Sequence, residues 1–212
     1  FFLMIRRPPR STLFPYTTPS DLIDAEVAPG CGAMAAAVLS KDGSRIVSFG
    51  LDSEKEKGSY TAEEQLVFDI KFLTDNRICA LSENGLTILN GNLEYISEYG
   101  YSDEYLKDYS LSGSGFVTLL LGKYEAGGAS RLVTVDSNGN ELGSIDIDGE
   151  PLSISAGGRY TAAMMTDKTK VYNSNLSTYG EVSDITGVKY VLMCSDGTAI
   201  IISNFGAAIF NP

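Results

Sequence analysis

The stretch that decides the fold runs from Val67 to Tyr99, VFDIKFLTDNRICALSENGLTILNGNLEYISEY. Its apolar residues fall in short runs rich in Val, Ile, Leu, Tyr and Phe. The runs are separated by Asp75-Asn76, Asn84-Gly85 and Asn90-Gly91, residue pairs that tolerate the positive φ of tight hairpins. The pattern predicts four short antiparallel strands joined by turns.

The same grammar recurs on both sides of this unit. Downstream stand DYSLSGSGFVTLLLGKYEAGGASRLVTVDSNGNELGSIDI (108–147), PLSISAGGRYTAAMMTDKTKVYNSNLSTYGEV (151–182) and VKYVLMCSDGTAIIISNFGAAIFNP (188–212), and upstream AEVAPGCGAMAAAVLSKDGSRIVSFG (25–50). With the turn between second and third strands as landmark, the units align at Gly43, Gly85, Ala129, Lys168 and Gly206, spaced by 42, 44, 39 and 38 residues. Four-stranded propeller blades repeat every ~40 to 45 residues. The expected fold is therefore all-β, a partial β-propeller of about five four-stranded antiparallel blades over 21–65, 66–103, 104–149, 150–186 and 187–212. A β-sandwich or β-solenoid is the structural alternative. Little helix is expected, because the best helical candidate, Tyr60 to Val67, is short and lies where a fourth strand or a connecting loop is due.

The second strand of each unit is the most uniformly apolar: Ala35 to Leu39, Ile78 to Leu81, Val117 to Leu121, Ala162 to Met165 and Ala199 to Ile202. Such runs imply burial on both faces, as when blade packs on blade. The last unit offers three strands, which predicts an open ring whose end sheets expose edges and apolar faces.

Residues 1–18, FFLMIRRPPRSTLFPYTT, differ from everything downstream, with three of the 16 basic residues, three of the seven prolines and no acidic residue. The segment resembles the peptide obtained when sequencing-adapter DNA is translated in frame, so 1–20 is set aside as non-native or disordered. A natural proline-rich basic arm is the alternative. On the first reading the chain is the C-terminal fragment of a longer protein.

Composition narrows function by exclusion. A formal net charge of −11 repels phosphate backbones and anionic lipid, so neither nucleic acid nor a membrane contact is expected for this stretch. The sequence has no His, which removes the commonest general base and nitrogen metal ligand. Cys31, Cys79 and Cys194 are widely spaced, form no CxxC pair and read as small buried hydrophobes on strands.

Candidate sites weaken on inspection. Asp136-Ser137-Asn138-Gly139-Asn140 alternates oxygen ligands like a calcium loop, but Glu141 stands where Gly is required and Ile147 where Glu is, which favours a hairpin turn. Asp146 and Asp148 share a strand face at a spacing compatible with paired acid/base work, and equally with solvated outer-strand carboxylates. Ser112-Gly113-Ser114-Gly115 matches no phosphate-binding fingerprint and reads as a turn. The run Asp52 to Lys57 mixes charge signs, as an exposed loop does. Tyr95, Tyr99, Tyr101, Tyr105 and Tyr109 crowd one stretch, which suits either a protein or glycan contact surface or ordinary strand packing. No residue is assigned as catalytic, cofactor-binding or metal-ligating, and no cofactor is expected.

The stretches LSENGLTILNGNLEYISEY (81–99), VTVDSNGNELGSIDI (133–147) and VLMCSDGTAIIISNF (191–205) resemble WD40-like and quinoprotein-like propellers. More narrowly they resemble a clostridial group of membrane-anchored propeller proteins of unknown function. The resemblance implies further blades and an N-terminal anchoring helix upstream, hence an extracytoplasmic location. The chain departs from true WD40 repeats and from quinoprotein repeats in having no Trp. The reading of function is a non-enzymatic interaction scaffold for a protein or cell-envelope ligand. Its rival is a carboxylate-based glycan hydrolase or lyase, which acidic residues clustered in a central funnel with raised pKa values would favour.

Overall fold

A computed structural model of the protein describes residues 21–52, 55–123, 130–147, 149 and 151–212. Nineteen strands among these residues form five antiparallel sheets in chain order. The first holds β1 (Leu22–Val27), β2 (Ala33–Ser40), β3 (Gly43–Gly50) and β4 (Glu56–Glu63), and the second β5 (Val67–Phe72), β6 (Arg77–Ser82), β7 (Gly85–Asn90) and β8 (Tyr95–Gly100). The third holds β9 (Glu104–Ser110), β10 (Phe116–Lys123), β11 (Ser130–Asp136) and β12 (Glu141–Ile147), and the fourth β13 (Ser153–Gly157), β14 (Tyr160–Met164), β15 (Lys168–Asn173) and β16 (Thr178–Ser183). The fifth has three strands, β17 (Val188–Met193), β18 (Ala199–Ser203) and β19 (Gly206–Phe210).

Every sheet is a meander in which each strand pairs with the next. Successive sheets touch through their first two strands, β1 on β5, β9 on β13 and β13 on β17, so the first strands converge and the fourth strands face outward. This is the open, partial β-propeller that the repeats predict. The helical candidate at Tyr60 to Val67 is strand β4 followed by a turn, and a single 3₁₀ turn, Thr74–Asn76, joins β5 to β6. The landmark Ala129 lies outside the described residues, as do residues 1–20.

Each core lies between two sheets. Leu81, Leu86 and Ile88 of the second sheet meet Leu119, Leu121 and Val133 of the third, all fully buried. Ala35, Ala37 and Ile46 meet Ile70, Ile78 and Leu89 at the first junction, and Leu120 and Leu132 meet Ala163 and Tyr172 at the third. Burying a leucine contributes about 1.5–3 kcal/mol, so β6 and β10, covered on both faces, anchor the fold. Two second strands depart from complete burial. Leu39 is 53% exposed because it sits beside the Lys41–Asp42 turn of the first sheet, and Ile200 and Ile202 are half-buried because no sheet covers that face of the fifth among the described residues.

Candidate interaction face

Because the strands alternate in direction, the loops between first and second strands and those between third and fourth emerge at one end of the ring. The first set interlocks. In the β1–β2 loop the Cys31 amide donates to Ala28 O at 2.8 Å, and Cys31 takes the left-handed φ of 52°. In the β9–β10 loop Gly113 bridges Gly158 of the β13–β14 turn, with Ser114 N–H donating to Gly158 O at 2.7 Å. Gly158 cannot be replaced without strain: its φ is 56°, and a Cβ there would lie 2.3 Å from the Ser195 carbonyl of the next sheet.

Between the loops of the first three sheets opens a cleft of about 680 Å³. Pro29, Gly32, Phe72, Thr74 and Ser114 line it with small and apolar groups and backbone, and Lys57 is the one charged residue among its lining residues. The Lys57 ammonium donates to Gly32 O at 3.3 Å at the mouth. The cleft thus offers apolar walls and one cation in a strongly acidic chain.

The third-to-fourth-strand loops of the second, third and fourth sheets share an unforeseen design. Asn90, Asp136 and Asn173 each open a five-residue loop by accepting backbone N–H bonds at their side-chain oxygen: from Asn92 and Glu94, from Asn138 and Asn140, and from Ser177. The fourth loop residue is left-handed in each, Leu93 at 63°, Gly139 at 82° and Leu176 at 61°. The Asp136 carboxylate is thereby engaged within its own hairpin turn. Partial desolvation pushes it up, but the Asn140 and Asn138 amides outweigh this and hold it below the usual carboxylate range. Each loop also reaches the preceding sheet. Ser97 donates to Asn138 O at 2.5 Å, and a Cβ on Gly143 would lie 2.5 Å from Asn175 O.

The remaining sequence candidates do not converge on one site. Asp146 is exposed on the outer strand β12, opposite Arg131, and Asp148 lies outside the described residues. Ser112 to Gly115 form a turn that leads into a strand, and Gly113, Ser114 and Gly115 line the cleft. Of the charged run, Glu56 and Lys57 belong to strand β4 rather than to a loop, because Glu56 is held by Arg45 at 2.8 Å; Ser53 and Glu54 lie outside the described residues.

The tyrosines scatter. Tyr95 is exposed, Tyr101 is buried and donates to Ser82 O at 3.2 Å, and Tyr99 donates to Glu141 at 2.7 Å. Desolvation and that carboxylate push the Tyr99 hydroxyl up to about 12. Of the cysteines, Cys79 alone is a buried strand residue, its thiol raised to about 12 by burial; Cys31 and Cys194 sit in loops.

The funnel side does carry carboxylates. Burial raises the Asp69 carboxyl above its ordinary range, the Tyr109 hydroxyl opposes this at 2.9 Å, and nearby Asp24 adds to the rise. These groups are engaged between blades, since Asp24 accepts the Ile70 amide at 2.9 Å and Glu26 pairs with Lys71. The tie repeats further round, where Asp108 accepts Ile154 N–H, Ser110 accepts Ala156 N–H and Ser155 accepts Met193 N–H. Carboxylates used in this way are structural joints. No group of three or more metal-ligating side chains occurs among the described residues.

Sheets packed radially through their first strands, with interlocked loops at one end, define a β-propeller protein. The chain belongs to the family of unknown function DUF5711, whose model matches residues 32–204. Solved structures show the same fold. KlHsv2 with loop 6CD replaced by a Gly-Ser linker is 15% identical, with 90% of this chain and 62% of that one covered at a TM-score of 0.61. BamB from Moraxella catarrhalis is 12% identical, with 92% and 60% covered at 0.55. The WD40 domain of Neurospora crassa Pan2 is 9% identical, with 85% and 55% covered at 0.55. The chain spans less than two thirds of each of these structures. No curated protein matches the sequence.

Proposed function

We propose that this protein is a non-enzymatic β-propeller scaffold that binds a protein ligand through the cleft between the loops of its first three sheets. The observation that carries this reading is the cleft itself, about 680 Å³ in volume, apolar, with Lys57 among its lining residues. An extended segment with small apolar side chains and one carboxylate matches those walls and that cation. Propellers of the WD40 and BamB kind support a scaffold role by analogy of fold.

Photo-crosslinking residues placed at Thr74 and Ser114, and at Asp146 on the outer strand as control, test the reading in producing cells. Capture of one shared protein from both cleft positions and not from Asp146, lost in Lys57→Glu, is expected. Capture from Asp146 alone, or turnover of glycan fragments by the purified chain, would contradict it.

Extracytoplasmic placement of the full-length protein, anchored as in the clostridial group it resembles, is part of the same proposal. No helix among the described residues is long and apolar enough to cross a membrane. Protease accessibility of the protein on intact cells checks the location. The adapter-like reading of residues 1–18 rests on their sequence, and resequencing of the source DNA across those codons tests it.

A further inference from the structure

Below the cleft, on the first strands of the same three sheets, lies a polar cavity of about 280 Å³. Asp24 and Glu26 of β1, Asp69 and Lys71 of β5, and Tyr109 and Ser110 of β9 line it. Each strand runs on from this cavity into a wall of the cleft: β1 into Ala28 and Pro29, β5 into Phe72 and Thr74, and β9 through Ser112 into Gly113 and Ser114. Whatever sets the spacing of β1, β5 and β9 in the cavity therefore sets the width of the cleft.

Side chains set that spacing. Asp24 accepts the Ile70 amide at 2.9 Å, and the Tyr109 hydroxyl donates to Asp69 at 2.9 Å, so β5 is tied to β1 on one side and to β9 on the other. The two carboxyls meet at the β1–β5 contact. Burial first, then the charge of Asp24 and a hydrogen bond with it, raise the Asp69 carboxyl against the opposing Tyr109 hydroxyl and Ile70 amide. Burial and Asp69 push the Tyr109 hydroxyl up to about 12, so it stays a donor across the acid and neutral range. The neighbouring charges are engaged elsewhere. Glu26 pairs with Lys71, and Asp108 accepts the Ile154 amide at 3.2 Å. Strand β2 brings no ionisable side chain, and β6 brings the buried Cys79 thiol and Arg77, which donates to Ser137 O at 2.6 Å.

We propose that Asp24 and Asp69 share one proton as a latch on the cleft. With the proton in place, the Asp69 hydroxyl donates to the Asp24 carboxylate and draws β1 and β5 together beside β9. On its loss two carboxylates face each other, repel, and let the cleft widen. The folded chain holds this proton above the ordinary carboxylate range, so the latch is fully closed below that range and opens as pH rises through the raised value. Regulation of ligand capture by this movement rests on the cleft being the binding site; the movement itself does not.

The test is the distance across the cleft in the full 212-residue chain, read by electron paramagnetic resonance, with no ligand present. Nitroxides are placed on Pro29→Cys and Ser114→Cys in a Cys31→Ser, Cys194→Ser background, where the remaining Cys79 is buried. The separation is expected to lengthen in one reversible step as pH rises from below the carboxylate range to neutrality. Asp69→Asn, whose amide can donate to Asp24 while its oxygen accepts from Tyr109, is expected to hold the short separation at every pH. Asp24→Asn makes the same bridge from the other side and is expected to do likewise. Glu26→Gln, which breaks only the ion pair with Lys71, should keep the step. A separation that does not change with pH overturns the proposal. So does a step that survives in Asp69→Asn or in Asp24→Asn, or one that Glu26→Gln abolishes, which would assign the movement to the ion pair.

Discussion

The third sheet and the fifth are written in the same strand and turn grammar, yet they live under different conditions. In the third, Leu119, Leu121 and Val133 face the second sheet while Leu120 and Leu132 face the fourth, all close to zero exposure. It is tied on both sides, by Tyr109 to Asp69, by Asp108 and Ser110 to the amides of Ile154 and Ala156, and by the Thr118 to Thr161 hydroxyl pair at 2.8 Å. The fifth is tied on one side, through Ser155 to Met193 N–H. Where Ser110 and Ser155 stand directly before the residues Leu111 and Ala156, the fifth sheet has Leu192 before Met193. A blade's stability therefore resides in its junctions more than in its own strands, as expected when a small isolated sheet is marginal in water.

The largest effect that can break this comparison is a charge in the doubly covered strand. Leu119→Asp buries an unpaired carboxylate between two sheets and is expected to cost about 4 kcal/mol or more, enough to abolish cooperative folding. Ile201→Asp, in the singly covered sheet, is expected to release the fifth sheet while the first four still melt together. Circular dichroism with thermal melting separates the two outcomes, and equal loss in both variants would show that coverage does not set stability.

Next in size come the close approaches between junction partners. Gly143→Ala would drive a methyl to 2.5 Å from Asn175 O, with an expected cost of about 2 kcal/mol, whereas Gly100→Ala meets nothing within 4 Å and should stay within about 0.5 kcal/mol of wild type in urea unfolding. Smaller again is the hydroxyl pair. Thr118→Val leaves Thr161 buried without its partner, at about 1–2 kcal/mol, and the double change Thr118→Val with Thr161→Val should recover much of that. A double change as costly as the sum of the singles would show that the hydroxyls do not act as a pair.

The smallest effect is pH dependence at the funnel. Burial raises the folded-state pKa of Asp69 above its unfolded value, so the folded state holds that proton more tightly. Stability is then greatest below the ordinary carboxylate range and declines as pH rises through the interval up to the raised value. Asp69→Asn should flatten this decline and leave the protein at least as stable at neutral pH. An unchanged pH profile in the variant would assign the dependence to another group.

Much of the architecture was legible because its signals are local. Asn84-Gly85 and Lys41-Asp42-Gly43 mark tight turns, and runs such as Val117 to Leu121 mark a strand covered on both faces. The joints between sheets were not legible, since each joins residues some forty positions apart. Asp24 and Asp108 look like solvated strand carboxylates until the amides of Ile70 and Ile154 are placed against them. The loops at Asn90, Asp136 and Asn173 did carry a readable signal, an Asn or Asp followed two residues later by Asn. Leu at the left-handed fourth position in two of them hid it, because that conformation is read from Gly or Asn. The cleft left no trace in the sequence, for its walls are ordinary loop residues from three different repeats.

Native-state hydrogen exchange, read strand by strand, tests the central claim that junctions rather than strands hold this propeller together. Exchange is expected to be slowest in β6 and β10, covered on both faces, and distinctly faster, by local opening, in β17 to β19. Protection in β18 equal to that in β10 would contradict it.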